Sequence, residues 1–256
     1  MRFFIDGTTL CDKNGDRGAG IEHYTWSIVS ALTRIQSPSE FVVSVPNVLT
    51  DQRIDALTEG TQNVIIQKSF GPRISFLSRH VLSPLRTYTR RPSVLFAPSG
   101  QIPLGWRGKS VITIHDLAIY EHPEWFEAVG DQDFSKKIVV PNAIQKASHI
   151  IAVSKSTEDS LLRLFPQVEG KTSVVYEGVE ETFEPEFLSE AVRFPFDRDF
   201  VLFLGTLEPR KNLENAFKAF HTFLENRPEQ ATKVRFIVAG KRGWGAEGAL
   251  LLAQKI

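Results

Sequence analysis

The sequence predicts an α/β protein built on parallel sheet, and two observations carry that prediction. Short runs rich in β-branched and aromatic residues alternate with helical stretches along the whole chain. Most of these runs are continuously apolar rather than alternating, which marks strands covered on both faces. Composition agrees. With 256 residues, 42% hydrophobic and 23% charged, the chain buries a core, which excludes disorder, collagen and coiled coil.

In order, the strand candidates are RFFID (2–6), EFVVSV (40–45), NVIIQ (63–67), SVLFAP (93–98), SVITIHD (110–116), HIIAVS (149–154) and TSVVYEG (172–178), then FVLFLGT (200–206) and VRFIVAG (234–240). A helix over Gly20–Arg34 places Ile21, Tyr24, Ile28, Ala31 and Leu32 on one stripe. A second, Lys155–Phe165, opens behind Ser154 as its N-cap. A third, Asn212–Asn226, carries Leu213, Ala216, Phe217, Phe220 and Leu224 at helical spacing, with Pro228 past its end.

Residues 180–198, rich in acids and interrupted by prolines, break this rhythm and read as a linker. The chain therefore divides into a first α/β domain over 1–179, the linker, and the opening part of a second domain over 199–256. That last part is too short for an ordinary two-faced parallel sheet. It also stops inside an apparent helix, EGALLLAQKI, without a C-cap. The expectation is a fragment, or a fold that an unseen partner completes. No internal repeat or low-complexity segment is present.

Lysine and arginine number 30, against 30 aspartates and glutamates. The lone cysteine, Cys11, excludes a disulfide framework and a cysteine zinc site, and fits a reducing, cytoplasmic compartment. The N-terminus turns polar by its sixth residue, unlike a signal peptide, and no uncharged apolar stretch approaches the roughly 20 residues that span a bilayer. The balanced charge hides a block from Thr61 to His115 with no acid and with Lys68, Arg73, Arg79, Arg86, Arg90, Arg91, Arg107 and Lys109. Such a block suggests an anionic partner, or else a solvated face. Within it, 72–90 reads as a helix with Ile74, Leu77, Val81, Leu85 and Tyr88 on one stripe and arginines around it. Two readings stand. Residues 72–91 make peripheral contact with an anionic inner membrane face, or the helix packs its apolar side inward and is kinked by Pro84.

Four stretches carry chemistry. DGTTLCDKNGDRGAGIEHYTWSI joins a strand to a helix through a Gly-rich loop, where backbone N–H groups attract phosphate. A dinucleotide fingerprint would need a third glycine where His23 stands and an acid where the second strand ends in Pro46 and Asn47, so nicotinamide binding is disfavoured. VITIHDLAIY puts His115 and Asp116 at the C-terminal end of a central strand, where open parallel sheets bind ligands and where the pair can bind a substrate or steer a proton. FLGTLEPRKNLENAFKAF places Arg210 and Lys211 at a helix start. There they oppose the helix dipole unless an anion such as a diphosphate sits between them, and Glu208 can pair with either. FIVAGKRGWG ends a strand in Gly240, with Gly243 and Gly245 in a tight loop behind it.

Together and in this order, GAGIEHYTWSIVSAL, SVITIHDLAIYEHPEWF, ASHIIAVSKSTEDSLLRLF, and VVYEGVEETF followed by FLGTLEPRKNL resemble the family 4 retaining glycosyltransferases. The nearest variant is the mannosyltransferase-like group with GTLEPRKN, and the resemblance runs from Arg2 to about Gly245. It implies the GT-B fold of two facing Rossmann-like domains. It also implies transfer of a sugar, mannose-like, from a nucleotide diphosphate sugar to a glycan or lipid-linked acceptor in polysaccharide assembly. The donor is a substrate, and no metal or other cofactor is implied. Arg210 and Lys211 match the donor diphosphate pair, and Gly18 and Gly20 match the loop near the donor phosphates and acceptor. His115 matches the histidine near the transferred sugar, with Asp116 orienting its loop. Ser154 and Lys155 border the cleft, as do Thr206 and Glu208. Some relatives have arginine at the Thr206 position.

The family's second domain continues for roughly another hundred residues, on the scale of an ordinary domain. It carries two glutamates separated by seven residues. Glu169 and Glu177 have that spacing but straddle the strand before the linker, so the match is assigned to chance. Little or no turnover is expected from this chain alone. The second reading is a non-catalytic nucleotide-sugar or acceptor-binding remnant with an exposed apolar sheet edge near Val234–Gly240. Nucleic acid is not an expected partner, since the basic block matches no recognised module.

Overall fold

A computed structural model describes residues 1–11, 20–35, 37–69, 80, 83–89, 92–126, 134–179 and 199–253. All nine apolar runs form strands: β1 (Arg2–Asp6), β2 (Glu40–Val45), β3 (Val64–Lys68), β4 (Val94–Ala97), β5 (Ser110–Ile114), β6 (His149–Ala152), β7 (Thr172–Val174), β8 (Asp199–Leu204) and β9 (Val234–Ala239). The helices are α1 (Ile21–Arg34), α2 (Asp51–Thr58), α3 (Ser83–Thr89), α4 (Ala118–Glu121), α5 (Val140–Lys146), α6 (Lys155–Leu164), α7 (Leu213–Asn226) and α8 (Glu247–Ala253). The chain divides into two compact units, one of Met1–Glu121 with Ala128–Gly178 and the other of His122–Glu127 with Val179–Ile256. The expected linker, 180–198, lies outside the described residues.

In the first unit, seven parallel strands run in the order β3-β2-β1-β4-β5-β6-β7. The chain builds outward from β1, then returns to lay β4 on the other side of β1, with Phe4 opposite Leu95. Successive strand residues face opposite ways and both faces are dry. Phe4, Val42 and Leu95 join Ile144 and Leu161 in one core, while Ile5, Val43 and Phe96 join Val29, Leu49 and Leu57 in the other.

The face α1 buries matches the predicted stripe only in part: Ile28 and Leu32 pack against the core. Glu22, Thr25, Val29, Ser30 and Thr33 are buried, whereas Ile21 is 41% exposed. The threonines hide their polarity by returning hydroxyl hydrogen bonds to Ile21 O and Val29 O, at 2.7 and 2.8 Å. Glu22 is held by Arg53 at 3.1 Å, and that guanidinium also lies 4.1 Å over the Trp26 ring. A helix wheel that scores only apolar residues therefore finds only part of the inward face.

α6 starts as its sequence predicts: the Ser154 hydroxyl accepts from the Thr157 N–H at 3.1 Å. α5 follows a single π turn, Ser135–Val139, and ends on the Lys171 ammonium, which donates to Ile144 O, Gln145 O and Ala147 O. A lysine there satisfies carbonyls that have no intrahelical partner.

Most of the predicted basic helix, including Ile74, Leu77, Val81, Arg73, Arg79, Arg90 and Arg91, lies outside the described residues. α3 is described from Ser83, and residues 81 and 82 lie outside the described residues, as does the expected kink at Pro84. Leu85 is 60% exposed and Thr87 is buried, opposite to the inward-stripe reading. No helix among the described residues is long and apolar enough to cross a membrane.

In the second unit, β8 and β9 pair in parallel, Asp199 opposite Val234 through Leu204 opposite Ala239. α7 buries Leu213 and Phe217 on the predicted stripe, and the Phe217 and Phe220 rings stand 5.2 and 5.3 Å from Phe236. Among the described residues β8 and β9 are both edges of a two-stranded sheet, so the edge expected near Val234–Gly240 is present, and the most exposed apolar side chains are those of β8, Val201, Leu202 and Leu204.

Candidate functional sites

In an open parallel sheet the ligand crevice lies beyond the strand ends where the strand order reverses, here β1 and β4. The turn after β1 is shaped by buried Asp6, whose carboxylate accepts from the Thr8 N–H at 3.0 Å and the Thr8 hydroxyl at 2.6 Å. After β4, Gly100 turns the chain at φ 74°, and a Cβ there would meet Thr113 O at 2.9 Å.

His115 follows β5, beside this crevice. Its Nε2 lies 2.9 Å from Pro98 O, and its Nδ1 lies 3.1 Å from Glu177 Oε1. Tyr24 of α1 meets the imidazole edge-on, with ring centres 4.7 Å apart, and its hydroxyl is 3.1 Å from Thr113 Oγ1. Burial pushes the Tyr24 phenol above its ordinary value. The His115 carbonyl accepts from the Thr157 hydroxyl at 3.1 Å, so the end of β5 and the start of α6 are fastened together.

Of the other predicted residues here, Asp116 accepts from the Ala118 N–H at 3.1 Å and shapes its own turn. Ser154 caps α6. Lys155 lies along its helix, 2.7 Å from Glu158, and that hydrogen bond raises the lysine's pKa and lowers the glutamate's. Gly20 precedes α1 at φ 56°, and Gly18 lies outside the described residues. Sequence reasoning missed Glu177 as a partner of His115. Its spacing to Glu169, assigned to chance, is unrelated to that contact.

In the second unit, the C-terminal ends of β8 and β9 are two glycines in close approach. A Cβ on Gly240 would lie 1.9 Å from Gly205 O, while one on Gly205 would lie 3.9 Å from Lys211 Cε. Arg210 and Lys211 occupy a 3-10 turn, Pro209–Lys211, that Asn212 closes at φ 55° before α7. Glu208 pairs with Arg210 at 2.8 Å. The arginine is therefore compensated within its own turn, and the helix dipole alone does not call for an anion there. Thr206 packs against Gly243, whose N–H donates to Leu207 O at 3.0 Å. A cavity of about 220 Å³ opens beside the turn, between Glu208, Asn212 and Glu214 on one side and Gly245 and Ala249 on the other. Among the described residues, no group of three or more His, Cys, Asp or Glu side chains is placed to hold a metal ion.

No protein-family model matches the chain. The O-antigen chain mannosyltransferase RfbU of Salmonella typhimurium is 20% identical over 229 residues, covering 88% of this chain and 59% of that protein. O-antigen chain mannosyltransferase B of Escherichia coli is 23% identical over 143 residues, covering 53% of this chain and 36% of that protein. The chain thus spans less than two thirds of the length of these relatives. The solved structure of Anabaena Alr3699/HepE in complex with UDP and glucose superposes with a TM-score of 0.55 at 17% identity, covering 100% of this chain and 65% of that one. In sequence this chain is similar to these mannosyltransferases, and its seven-stranded parallel sheet with flanking helices has the Rossmann-like fold of the GT-B glycosyltransferases.

Proposed function

We propose that the protein is a retaining glycosyltransferase that moves a mannose-like sugar from a nucleoside diphosphate sugar to a glycan or lipid-linked acceptor. The observation that carries this reading is the end of β8, where bare glycine backbone lies beside the Lys211 side chain, with Arg210 one residue away. Glycine lets a diphosphate approach the main chain, and the two cations meet its oxygens. As the bond from the anomeric carbon to the diphosphate breaks, negative charge builds on the leaving group, and fixed cations lower that barrier. The acceptor hydroxyl attacks on the face the diphosphate leaves, passes its proton to the departing diphosphate oxygen and takes the vacated position, so the configuration is retained. Arg210 turns part of its planar fork from Glu208 to the phosphate, and Glu208 keeps the remainder oriented.

Titration calorimetry of the chain with UDP and GDP tests this. Charge-assisted hydrogen bonds are worth about 1.5–3 kcal/mol, so Lys211→Ala and Arg210→Ala are each expected to weaken diphosphate binding by roughly 10-fold or more. Unchanged affinity in both variants, or no uptake of either nucleotide, rejects the assignment.

The same proposal sets residues 72–91 against an anionic membrane surface on the cytoplasmic side. The exposure of Leu85 and Tyr88 in the described part of this stretch supports it. Sedimentation with anionic vesicles is expected at low salt and lost at high salt; absence of binding at low salt removes this part.

A further inference from the structure

We propose that the cavity of the second unit, between the starts of α7 and α8, binds one neutral sugar ring, a hexopyranose unit of a glycan, at a place separate from the diphosphate. At about 220 Å³ it is smaller than the roughly 300–1,000 Å³ of sites for drug-sized ligands, and it admits one six-membered ring rather than a nucleoside diphosphate. Its lining is two-sided. Leu213, Ala246 and Ala249 are buried and make an apolar floor. Glu208, Glu214 and Asn215 make a polar rim. A pyranose has the same division, an apolar C–H face with a belt of hydroxyls around it.

The rim selects the charge of the ligand. Two nitrogens of Arg210 donate to the same oxygen of Glu208, Oε1, at 3.0 and 2.8 Å, which leaves Oε2 to accept from elsewhere. Glu214 makes no ion pair among the described residues. Ionised carboxylates only accept, so they suit a ligand rich in O–H donors and repel a phosphate. The Asn215 amide both donates and accepts, and meets a hydroxyl in either sense. None of the described lining residues is aromatic, which disfavours a stacked nucleobase. Glycine keeps the space open. A Cβ on Gly248 would collide with Glu214 Oε1, so the carboxylate rests against the main chain of the first turn of α8. A Cβ on Gly245 would lie 2.9 Å from Pro209 Cγ. This site goes beyond the proposed transfer reaction and does not depend on it.

Titration of the whole 15N-labelled chain with methyl α-mannopyranoside and methyl α-glucopyranoside, read by amide shifts, tests it. A ligand of this size is expected to bind with a Kd of roughly 1 mM, with saturable shifts in 207–215 and 245–249. Glu214 and Asn215 are exposed, so their truncation leaves the fold intact. Glu214→Ala should weaken glycoside binding roughly 10-fold and Asn215→Ala about 5-fold. Affinity for UDP should be the same in both variants as in the wild-type protein. Mannose 6-phosphate should bind more weakly than the methyl glycosides. Glycoside binding without UDP binding would reject the transfer reaction and support this site. No saturable shift with either glycoside, equal glycoside affinity in the wild-type protein and both variants, or tighter binding of mannose 6-phosphate overturns the proposal.

Discussion

An alanine at position 240 is expected to unfold residues 199–253. The added Cβ would stand 1.9 Å from Gly205 O and 2.6 Å from the Gly205 carbonyl carbon. Both are main-chain atoms of the residue that ends β8, and Gly205 N donates to Ala239 O at 2.9 Å. No side chain can swing away to make room; relief requires breaking the parallel pairing of β8 with β9. Overpacking of this kind costs about 1–3 kcal/mol. The backbone adds roughly another 1–3 kcal/mol, because φ at Gly240 is 152°, a conformation L side chains rarely adopt. Among the described residues, the buried apolar core of the second unit is small: Leu207, Leu213, Phe217, Ala246 and Ala249. Hydrogen exchange should show loss of protection across β8 and β9 in Gly240→Ala. Gly60→Ala, at φ 72° with nothing within 4 Å of the new methyl, should cost only about 1 kcal/mol. Full protection of β8 and β9 in Gly240→Ala would show that the glycine contact is not rigid.

Tyr120 is expected to dominate the alkaline loss of stability in the first unit. Its hydroxyl donates to Lys136 O at 2.7 Å, and its ring stands 5.8 Å from Phe165, nearly perpendicular. Burial pushes the phenol up to about 12 from its ordinary 10.0. The folded protein therefore holds this proton after the unfolded chain has released it. The stabilisation is whole below pH 10 and drains away as pH rises to about 12, amounting to roughly 2–3 kcal/mol over that interval. Urea midpoints recorded from pH 8 upward should fall in this window for the wild-type protein and stay flatter for Tyr120→Phe. The variant should start lower by the missing hydrogen bond, worth about 1 kcal/mol. Parallel curves for the two proteins would assign the alkaline transition elsewhere.

The strands were readable because both faces of a buried parallel strand demand apolar residues, so β1, β2 and β5 appear as unbroken runs. α7 was readable because Leu213, Phe217 and Phe220 mark its inward side. α1 was legible as a helix but only partly in orientation, since Thr25 and Thr33 bury hydroxyls that bond their own backbone. α5 went unseen because its segment, SKKIVVPNAIQK, combines β-branched residues with Pro141, and its stop is supplied by Lys171 from another element. The sites divide the same way. His115 and Ser154 are visible from local rules about strand ends and helix caps. Tyr24 looked like one more stripe residue, yet its ring lies against His115. Glu177 is 62 residues from His115 in the chain and meets it only because β5, β6 and β7 lie side by side. No local pattern encodes that meeting.

The first strand of this chain occupies the middle of its sheet, with β2 on one side and β4 on the other. During synthesis, β1 and its neighbours β2 and β3 emerge early, but the opposite flank of β1 stays bare until Val94–Ala97 has left the ribosome. Non-local parallel pairing is slow, and an unfilled strand edge invites intermolecular pairing. The nascent protein thus passes through a half-built stage whose lifetime is set by translation, and chaperone demand should be greatest before β4 arrives.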